Sequence, residues 1–291
     1  MRGIIYALLA TISYSSTPTF TQLGYKGGIQ TDTLLFSRHL VSLVFLLPTI
    51  MKKGSFKTVG KDQIPGIVTL CLLSIICALS FNYAYRYLPN MVATAISISY
   101  IVFVFIIEMI LGREKYTSRR GLIIMITIAG LVVIALPGSS ASFPMKAFWV
   151  GLMAAFVYST QVVLINSKKL KQVPSNIIVL TGVIPIMIFS SIRCLINGGA
   201  LLPSGTLQWI AIICLGTIGV IMARGLFYSA IRLIGATRAS MIDSLEPFTS
   251  AVLGYVFLHQ SISAHMVIGS LLMVISIILL LREKSPKPSD N

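Results

Sequence analysis

The sequence is poor in charged residues, and acidic residues are the scarcest of them. Only 11% of its 291 residues are charged, with 23 basic and 8 acidic side chains, whereas 56% are hydrophobic. A soluble domain carries about 25% charged residues, so this composition excludes an ordinary soluble protein. The mean hydropathy of +0.90 agrees with that exclusion. The chain is therefore predicted to be an integral membrane protein.

Sequence motifs for common enzymatic and metal chemistry are also missing. No GxxxxGK[ST], HExxH or GxSxG motif occurs, which argues against ATP-driven pumping and against hydrolase activity. The four cysteines form no CxxC pair and the three histidines have no metal-ligand spacing, so neither a metal nor a cofactor is expected. The basic residues lie mainly between apolar stretches, and for that reason nucleic-acid binding is not expected either.

Ten apolar stretches recur along the chain, and each is long enough to cross a bilayer core of about 30 Å as a helix. Continuous apolar runs such as GLIIMITIAGLVVIAL, without strict alternation, favour helices over the strands of a barrel. The predicted spans are 3–23, 33–51, 65–87, 91–111, 120–136, 147–167, 176–196, 207–231, 236–258 and 264–281.

Basic residues are concentrated in every second connection between these spans. The basic clusters lie within residues 52–61, 113–120, 168–171 and 282–287. The alternate connections hold only isolated basic residues. Because cytoplasmic loops carry the excess of lysine and arginine, the pattern predicts a multi-pass protein of the cytoplasmic membrane with both termini in the cytoplasm.

The two halves of the chain resemble each other at a nearly constant spacing. An offset of 146 residues aligns Tyr100 with Glu246, and an offset of 144 aligns Tyr14 with Tyr158. Each half then contains five spans, and an odd number requires the halves to enter the membrane from opposite sides. The predicted fold is an all-α integral membrane protein with ten transmembrane helices in two inverted five-helix repeats. We expect a first repeat over 1–136, an external linker over 137–146, a second repeat over 147–281 and a basic cytoplasmic tail over 282–291.

The segment SMIDSLEPFTS places two carboxylates, Asp243 and Glu246, directly before Pro247 in the ninth span. Ionisable groups inside a span cost about 2.5–3.5 kcal/mol each, so they usually face a cavity or a partner. A rise of 1.5 Å per residue puts Glu246 about 15 Å deep, and Pro247 frees the carbonyl of Asp243 and bends the helix. Either the carboxylates are structural, hydrogen-bonded to another helix or paired with Arg224 or Arg38, or they line a transport path and exchange protons for substrate.

A second set of polar residues surrounds Pro18 in the first span, in the segment SYSSTPTFTQ. The segment YSTQ is its counterpart in the sixth span. Pro18 frees the carbonyl of Tyr14. Hydroxyl groups beside a carbonyl freed in this way either bind a polar solute or form hydrogen bonds to the backbone of their own helix. Tyr14 and Tyr158 are the strongest candidates for binding because the repeat aligns them.

Two arginines, Arg38 and Arg224, are predicted to lie within spans. Their long side chains either extend to the lipid headgroups or serve as counter-ions for a substrate carboxylate or for Glu246. Glu108 lies near the end of the fourth span and is predicted to form an interfacial ion pair with Arg113. The predicted substrate pathway comprises Tyr14, Pro18, Arg38, Tyr100, Tyr158, Arg224, Asp243, Glu246 and Pro247.

Three segments, YRYLPNMVATA, AIRLIGATRAS and LEPF, carry a resemblance to a known family. The chain resembles the EamA-like branch of the drug/metabolite transporter superfamily over essentially its whole length. The resemblance implies two five-helix repeats and the transport of amino acids, related metabolites or drug-like compounds. One departure is that GRE at 112–114 and HQ at 259–260 stand where the family often has Gly-Glu.

The predicted function is therefore that of a secondary transporter, which moves a small organic solute by alternating access. Proton coupling is a further hypothesis. Two other classes stay open, an integral-membrane enzyme that acts on lipid and a channel or scaffold. The expected partners are a small-molecule substrate, membrane lipids and protons, and the protein is expected to act as a monomer or homodimer.

The charge pattern makes a testable prediction about topology. Reporter proteins fused to either end of the chain are expected to show a cytoplasmic location, because connections rich in lysine and arginine stay on the cytoplasmic side of the membrane. A cysteine introduced at Ser140, in the linker, is expected to react with a membrane-impermeant thiol reagent added to intact cells. Termini found on opposite sides of the membrane would contradict the arrangement in two inverted five-span halves.

Overall fold

The computed structural model describes residues 1–53, 59–87, 96–113, 117–135, 144–258 and 264–281. Within these ranges the regular elements are helices, in agreement with the predicted all-α class. Most of the predicted linker and the whole basic tail lie outside the described residues, as do Glu114, His259 and Gln260 of the Gly-Glu comparison.

A helix lies at each of the ten predicted apolar stretches. The helices are α1 (Arg2–Lys26), α2 (Thr31–Lys53), α3 (Ile64–Tyr87), α4 (Tyr100–Ile110), α5 (Ser118–Ala135), α6 (Met145–Ile165), α7 (Ser175–Ile196), α8 (Thr206–Ile234), α9 (Ala236–Asp243), α10 (Glu246–Leu258) and α11 (Ala264–Leu281). The ninth predicted stretch differs from the others because a turn at Ser244 and Leu245 divides it into α9 and α10.

Five helices in the described ranges are long and apolar enough to cross a membrane. They cover Thr31–Met51, Lys61–Ala84, Met145–Ile165, Ser175–Ile196 and Thr206–Ile234. Other helices do not meet these conditions of length and apolar composition. The 25 residues of α1 include many serines and threonines, and α9 and α10 have only 8 and 13 residues. Ten membrane crossings therefore stay a prediction.

The packing of the helices is preserved when one half of the chain is exchanged for the other. α3 packs on α6 and α1 packs on α8, and these two pairs are equivalent under an exchange of each span for the span five places later. The same exchange relates the pair α1 and α10 to the pair α6 and α4, and it returns α2 with α7 and α5 with α11 to themselves. The architecture therefore fits two related five-helix repeats.

The two halves run through the bundle in opposite directions. At one end, which we call the lower face, Gly3 at the start of α1 packs against Ile234 at the end of α8. Arg232 of α8 donates to the hydroxyl of Ser175, at the start of α7, over 3.1 Å. The short connection 166–174 keeps the end of α6 at this same face. Since α1 begins where α6 ends, the first helices of the two halves point in opposite directions.

The opposite end of the bundle, which we call the upper face, carries the end of α1 and the start of α8. Gln208 donates to the carbonyl of Gly27 over 2.6 Å, and Arg193 at the end of α7 pairs with Asp32 at the start of α2 over 3.3 Å. Most of the basic residues in the described ranges lie in the lower-face connections or in the helix turns next to them, such as Lys61 and Lys169.

Helix α8 departs from regular α-helical winding where it packs against α2. Its middle part, Leu215–Met222, is π-helical, a geometry that often occurs at functional sites. Gly216 lies in this part, and a β carbon there would stand 2.7 Å from the carbonyl oxygen of Arg38. The carbonyl of Gly216 accepts a hydrogen bond from Ser42 over 2.9 Å. The absence of a side chain at 216 therefore lets the two backbones touch.

Replacing this glycine tests the close contact. Gly216→Ala is expected to lower the unfolding temperature of the detergent-purified protein, because overpacking of this kind costs about 1–3 kcal/mol. Gly225→Ala is the matched control on the same helix, since a β carbon at 225 meets nothing within 4 Å. Equal unfolding temperatures for the two variants would show that α2 and α8 are further apart than this.

Candidate substrate cavity

A cavity of about 260 Å³ lies at mid-depth between the two halves. Helices α1, α3, α6 and α8 form its walls together with Arg38 of α2, α4 and the junction of α9 and α10. Its lining includes eight of the nine residues predicted for the substrate pathway, namely Tyr14, Pro18, Arg38, Tyr100, Tyr158, Arg224, Asp243 and Glu246. Pro247 lies in the first turn of α10, and its side chain is outside the described part. The residues are thus brought together, while their role in transport stays a prediction.

The cavity reaches the upper face and is closed toward the lower face. Its lining extends from Tyr228 and Asp243 to Tyr25, which is 42% exposed in the last turn of α1. Below the cavity, a cluster of buried apolar side chains fills the space between the helices. The cluster includes Ala10, Leu70, Phe227, Ile231 and Ala239. A solute in water therefore has access from the upper face in this structure.

Asp243 is buried at the end of α9, where only 2% of its surface is exposed. Its carboxylate accepts a hydrogen bond from the hydroxyl of Tyr100 over 2.7 Å and one from the hydroxyl of Thr11 over 3.1 Å. Because these donors belong to α4 and α1, the carboxylate joins the second half of the chain to the first. The alternative pairing of Asp243 with Arg224 is not observed.

The ninth span is interrupted between its two carboxylates. α9 ends at Asp243 and α10 begins at Glu246, so the predicted distortion at this segment is present. Pro247 is the second residue of α10, a position where its missing N–H is tolerated because first-turn N–H groups have no intrahelical acceptor. Ser15 of α1 bonds to the carbonyl of Glu246 over 3.2 Å and to the hydroxyl of Thr249. Both sides of the interruption are therefore tied to α1.

Aromatic rings from both halves form one wall of the cavity. The rings of Tyr158 and Tyr100 pack edge to face with centroids 4.8 Å apart. Tyr14 packs in the same way, at 5.9 Å, on Phe227 of the apolar cluster below the cavity. Phe81 packs against Tyr158 at 6.4 Å. Such pairs fix the orientation of the rings, so this wall keeps its shape in the absence of a solute. The two tyrosines aligned by the repeat, Tyr14 and Tyr158, both reach the cavity.

The sequence analysis did not select the polar side chains on another part of the wall. Gln161 is 4% exposed, and its Oε1 accepts a hydrogen bond from Ser74 over 3.2 Å. Its Nε2 has no nitrogen or oxygen partner among the described residues, and the thiol of Cys77, a weak acceptor, lies beside it. The spacing i,i+3 from Tyr158 is the signal that could have identified Gln161, because such residues share a helix face.

Both arginines predicted within spans, Arg38 and Arg224, line the cavity. Glu108 lies apart from it, near the lower face. The predicted ion pair with Arg113 is present at 3.7 Å, and Asn166 donates to the same carboxylate oxygen over 3.0 Å. In the described ranges no group of three His, Cys, Asp or Glu residues could hold a metal ion.

Two related halves around a polar cavity in an apolar bundle define a membrane transporter. The model of the EamA-like transporter family matches residues 1–136 and 145–282. The chain belongs to this family.

Similar proteins of known sequence and structure agree with this assignment. An uncharacterized transporter of Clostridium kluyveri is 26% identical over 302 residues, which cover 96% of this chain and 92% of that protein. One of Archaeoglobus fulgidus is 23% identical over 292 residues, which cover 97% and 98%. A crystal structure with 15% sequence identity superposes with a TM-score of 0.77 over 96% of both chains, and it shows the same fold.

The reach of the cavity can be tested with the native cysteines. A protein that retains only Cys77, which lines the cavity, is expected to react with 2-sulfonatoethyl methanethiosulfonate at least about tenfold faster than one that retains only Cys194, because thiol exchange requires access. Both thiols are buried, at 8% and 1% exposure, but Cys194 lies between α2 and α7 and donates to the carbonyl of Ala200 over 3.2 Å. Mass spectrometry of the intact protein measures both rates. Faster reaction at Cys194 would contradict the placement of the cavity.

Proposed function

We propose that this protein is a secondary transporter that moves a small organic solute across the cytoplasmic membrane by alternating access. The observation that carries the proposal is the cavity of about 260 Å³ between the halves, which reaches one face of the bundle and is closed toward the other. A channel needs a continuous polar path, whereas buried apolar side chains fill the lower half of this bundle. This difference favours a carrier.

The distribution of charge supports an orientation in the membrane. The lower face carries most of the described basic residues, and cytoplasmic loops are the ones enriched in lysine and arginine. The lower face is therefore assigned to the cytoplasm and the upper face to the outside. In that orientation the cavity is open outward.

The pseudo-symmetry of the helix packing supports a mechanism for the change of access. In this structure, a hydrogen bond between Thr11 and Asp243 joins α1 and α9 below the cavity. The exchange of halves relates α1 to α6 and the ninth span to α4, and α6 and α4 also pack on each other in this structure. When each half adopts the conformation of the other, the upper end closes and the lower end opens, which is the usual route in inverted-repeat transporters. Breaking the bonds of Asp243 is part of that change.

The two carboxylates of the cavity, Asp243 and Glu246, support coupling to protons. Intramembrane carboxylates beside a water-accessible cavity serve as proton relays in pumps and transporters. Glu246 lines the cavity, and no side-chain donor among the described residues bonds to its carboxylate. We assign Glu246 as the group that exchanges a proton, and Asp243 as the group that joins the halves.

Reconstituted protein tests both parts of this proposal. A solute is first selected by its effect on the unfolding temperature among amino acids, nucleosides and quaternary amines. Proteoliposomes are then expected to show saturable counterflow of that solute. Glu246→Gln is expected to abolish accumulation driven by an imposed pH gradient and to retain exchange, because an amide cannot carry the proton.

Glu108→Gln is the matched control, since Glu108 is a buried carboxylate outside the cavity. It is expected to retain accumulation driven by the pH gradient. Gradient-driven accumulation by Glu246→Gln at the wild-type level would contradict proton coupling, and the absence of saturable counterflow for every solute would contradict the carrier itself.

A further inference from the structure

Arg224 presents a guanidinium group to the lower part of the cavity from α8. None of the carboxylates in the described ranges lies within ion-pair distance of it, taken as 4.0 Å. Titratable side chains around it include Tyr14, Tyr158, Tyr228 and Cys77, which are neutral at physiological pH. A guanidinium is charged at any physiological pH. A charge at this depth is costly unless an anion or water meets it.

A glycine on α7 sets the position of this guanidinium. A β carbon at Gly182 would collide with Nη1 of Arg224, so any larger residue there would push the group away. The same position lies 3.7 Å from the hydroxyl oxygen of Ser74 on α3. The guanidinium therefore lies against the backbone of α7 and beside α3, inside the bundle.

A second donor lies close to this position. Ser74 donates to Oε1 of Gln161 over 3.2 Å, which directs the amide Nε2 away from that bond. Nε2 has no nitrogen or oxygen partner among the described residues, although Gln161 is buried. Since Ser74 is near both Gly182 and Gln161, the amide N–H groups and the guanidinium belong to one part of the cavity wall.

Neither of the two acidic residues in the cavity lining, Asp243 and Glu246, forms an ion pair with this guanidinium in the described structure. Asp243 accepts hydrogen bonds from Thr11 and Tyr100. A planar guanidinium with an adjacent amide N–H suits the oxygens of a carboxylate or related oxyanion, which charge-assisted hydrogen bonds hold strongly.

We infer that Arg224 and Gln161 bind an acidic group of the transported solute, so that the substrate carries a carboxylate, sulfonate or phosphonate. This inference rests on the proposed transport function. Gly182 is a positioning residue that gives the guanidinium its place. The apolar part of the solute then lies against the tyrosine rings on the neighbouring wall.

Matched pairs of small molecules test the requirement for an acid. The probes are phenylacetate and phenylacetamide, hexanoate and hexanamide, and phenylalanine and phenylalaninamide, each measured by its effect on the unfolding temperature of the purified protein. At least one acid is expected to bind wild-type protein about tenfold or more tightly than its amide, because the amide lacks the charge that the guanidinium pairs with.

Variants test the assigned residues. Arg224→Gln is expected to lose this preference, and Arg224→Lys to retain part of it, because lysine keeps the charge but not the planar donor geometry. Gly182→Ala is expected to weaken acid binding about tenfold through displacement of the guanidinium. Gly225→Ala, next to Arg224 and without neighbours at its β carbon, is expected to bind as wild type does.

Each outcome decides the inference separately from the proposed function. Acids and amides that bind equally, an unchanged preference in Arg224→Gln, or no stabilisation by any of the three acids would overturn the anion site. Saturable counterflow of a solute without an acidic group, unaffected in Arg224→Gln, would overturn it as well and leave the carrier function intact.

Discussion

The high cost of a carboxylate inside a membrane is the constraint on which the rest of this structure depends. Asp243 meets it with hydrogen bonds from Tyr100 and Thr11, two hydroxyl groups that belong to the other half of the chain. Ser15 ties the following turn to α1 in the same way. These bonds hold the two halves together below the cavity, and the space above them stays open. One set of polar contacts thus joins the halves at the closed end of the cavity.

The cavity is symmetric in position but not in charge. Positions 146 residues before Arg224, Asp243 and Glu246 are Ala78, Ser97 and Tyr100, and all six line the same cavity. At these three pairs of positions the second half therefore supplies charged groups and the first half supplies neutral ones, while Arg38 is a charged residue that the first half adds elsewhere in the lining. A related pair of folds can exchange conformations, as alternating access requires, without carrying identical side chains in the cavity.

The sequence predicted those cavity residues whose burial in a membrane costs free energy or whose positions the repeat aligns. Asp243, Glu246 and Arg224 stood out because ionisable groups are rare in spans, and Tyr14 and Tyr158 because the repeat aligned them. Ser74, Gly182 and Gln161 were missed, since small or neutral residues in a span carry no such signal. Of the structural alternatives for Asp243, hydrogen bonds to other helices are observed and pairing with Arg224 is not, because hydroxyl donors from α1 and α4 already satisfy the carboxylate.

The sequence by itself determined the membrane class, the helical stretches and the opposite directions of the two halves. These properties follow from local hydropathy and from counting spans, which need no knowledge of contacts. Only the tertiary structure decided which face the cavity reaches, which donors Asp243 accepts from and where the guanidinium of Arg224 lies. Those outcomes depend on packing between residues far apart in the chain, such as Thr11 and Asp243, which are separated by 232 positions. Local composition contains no information about such partners.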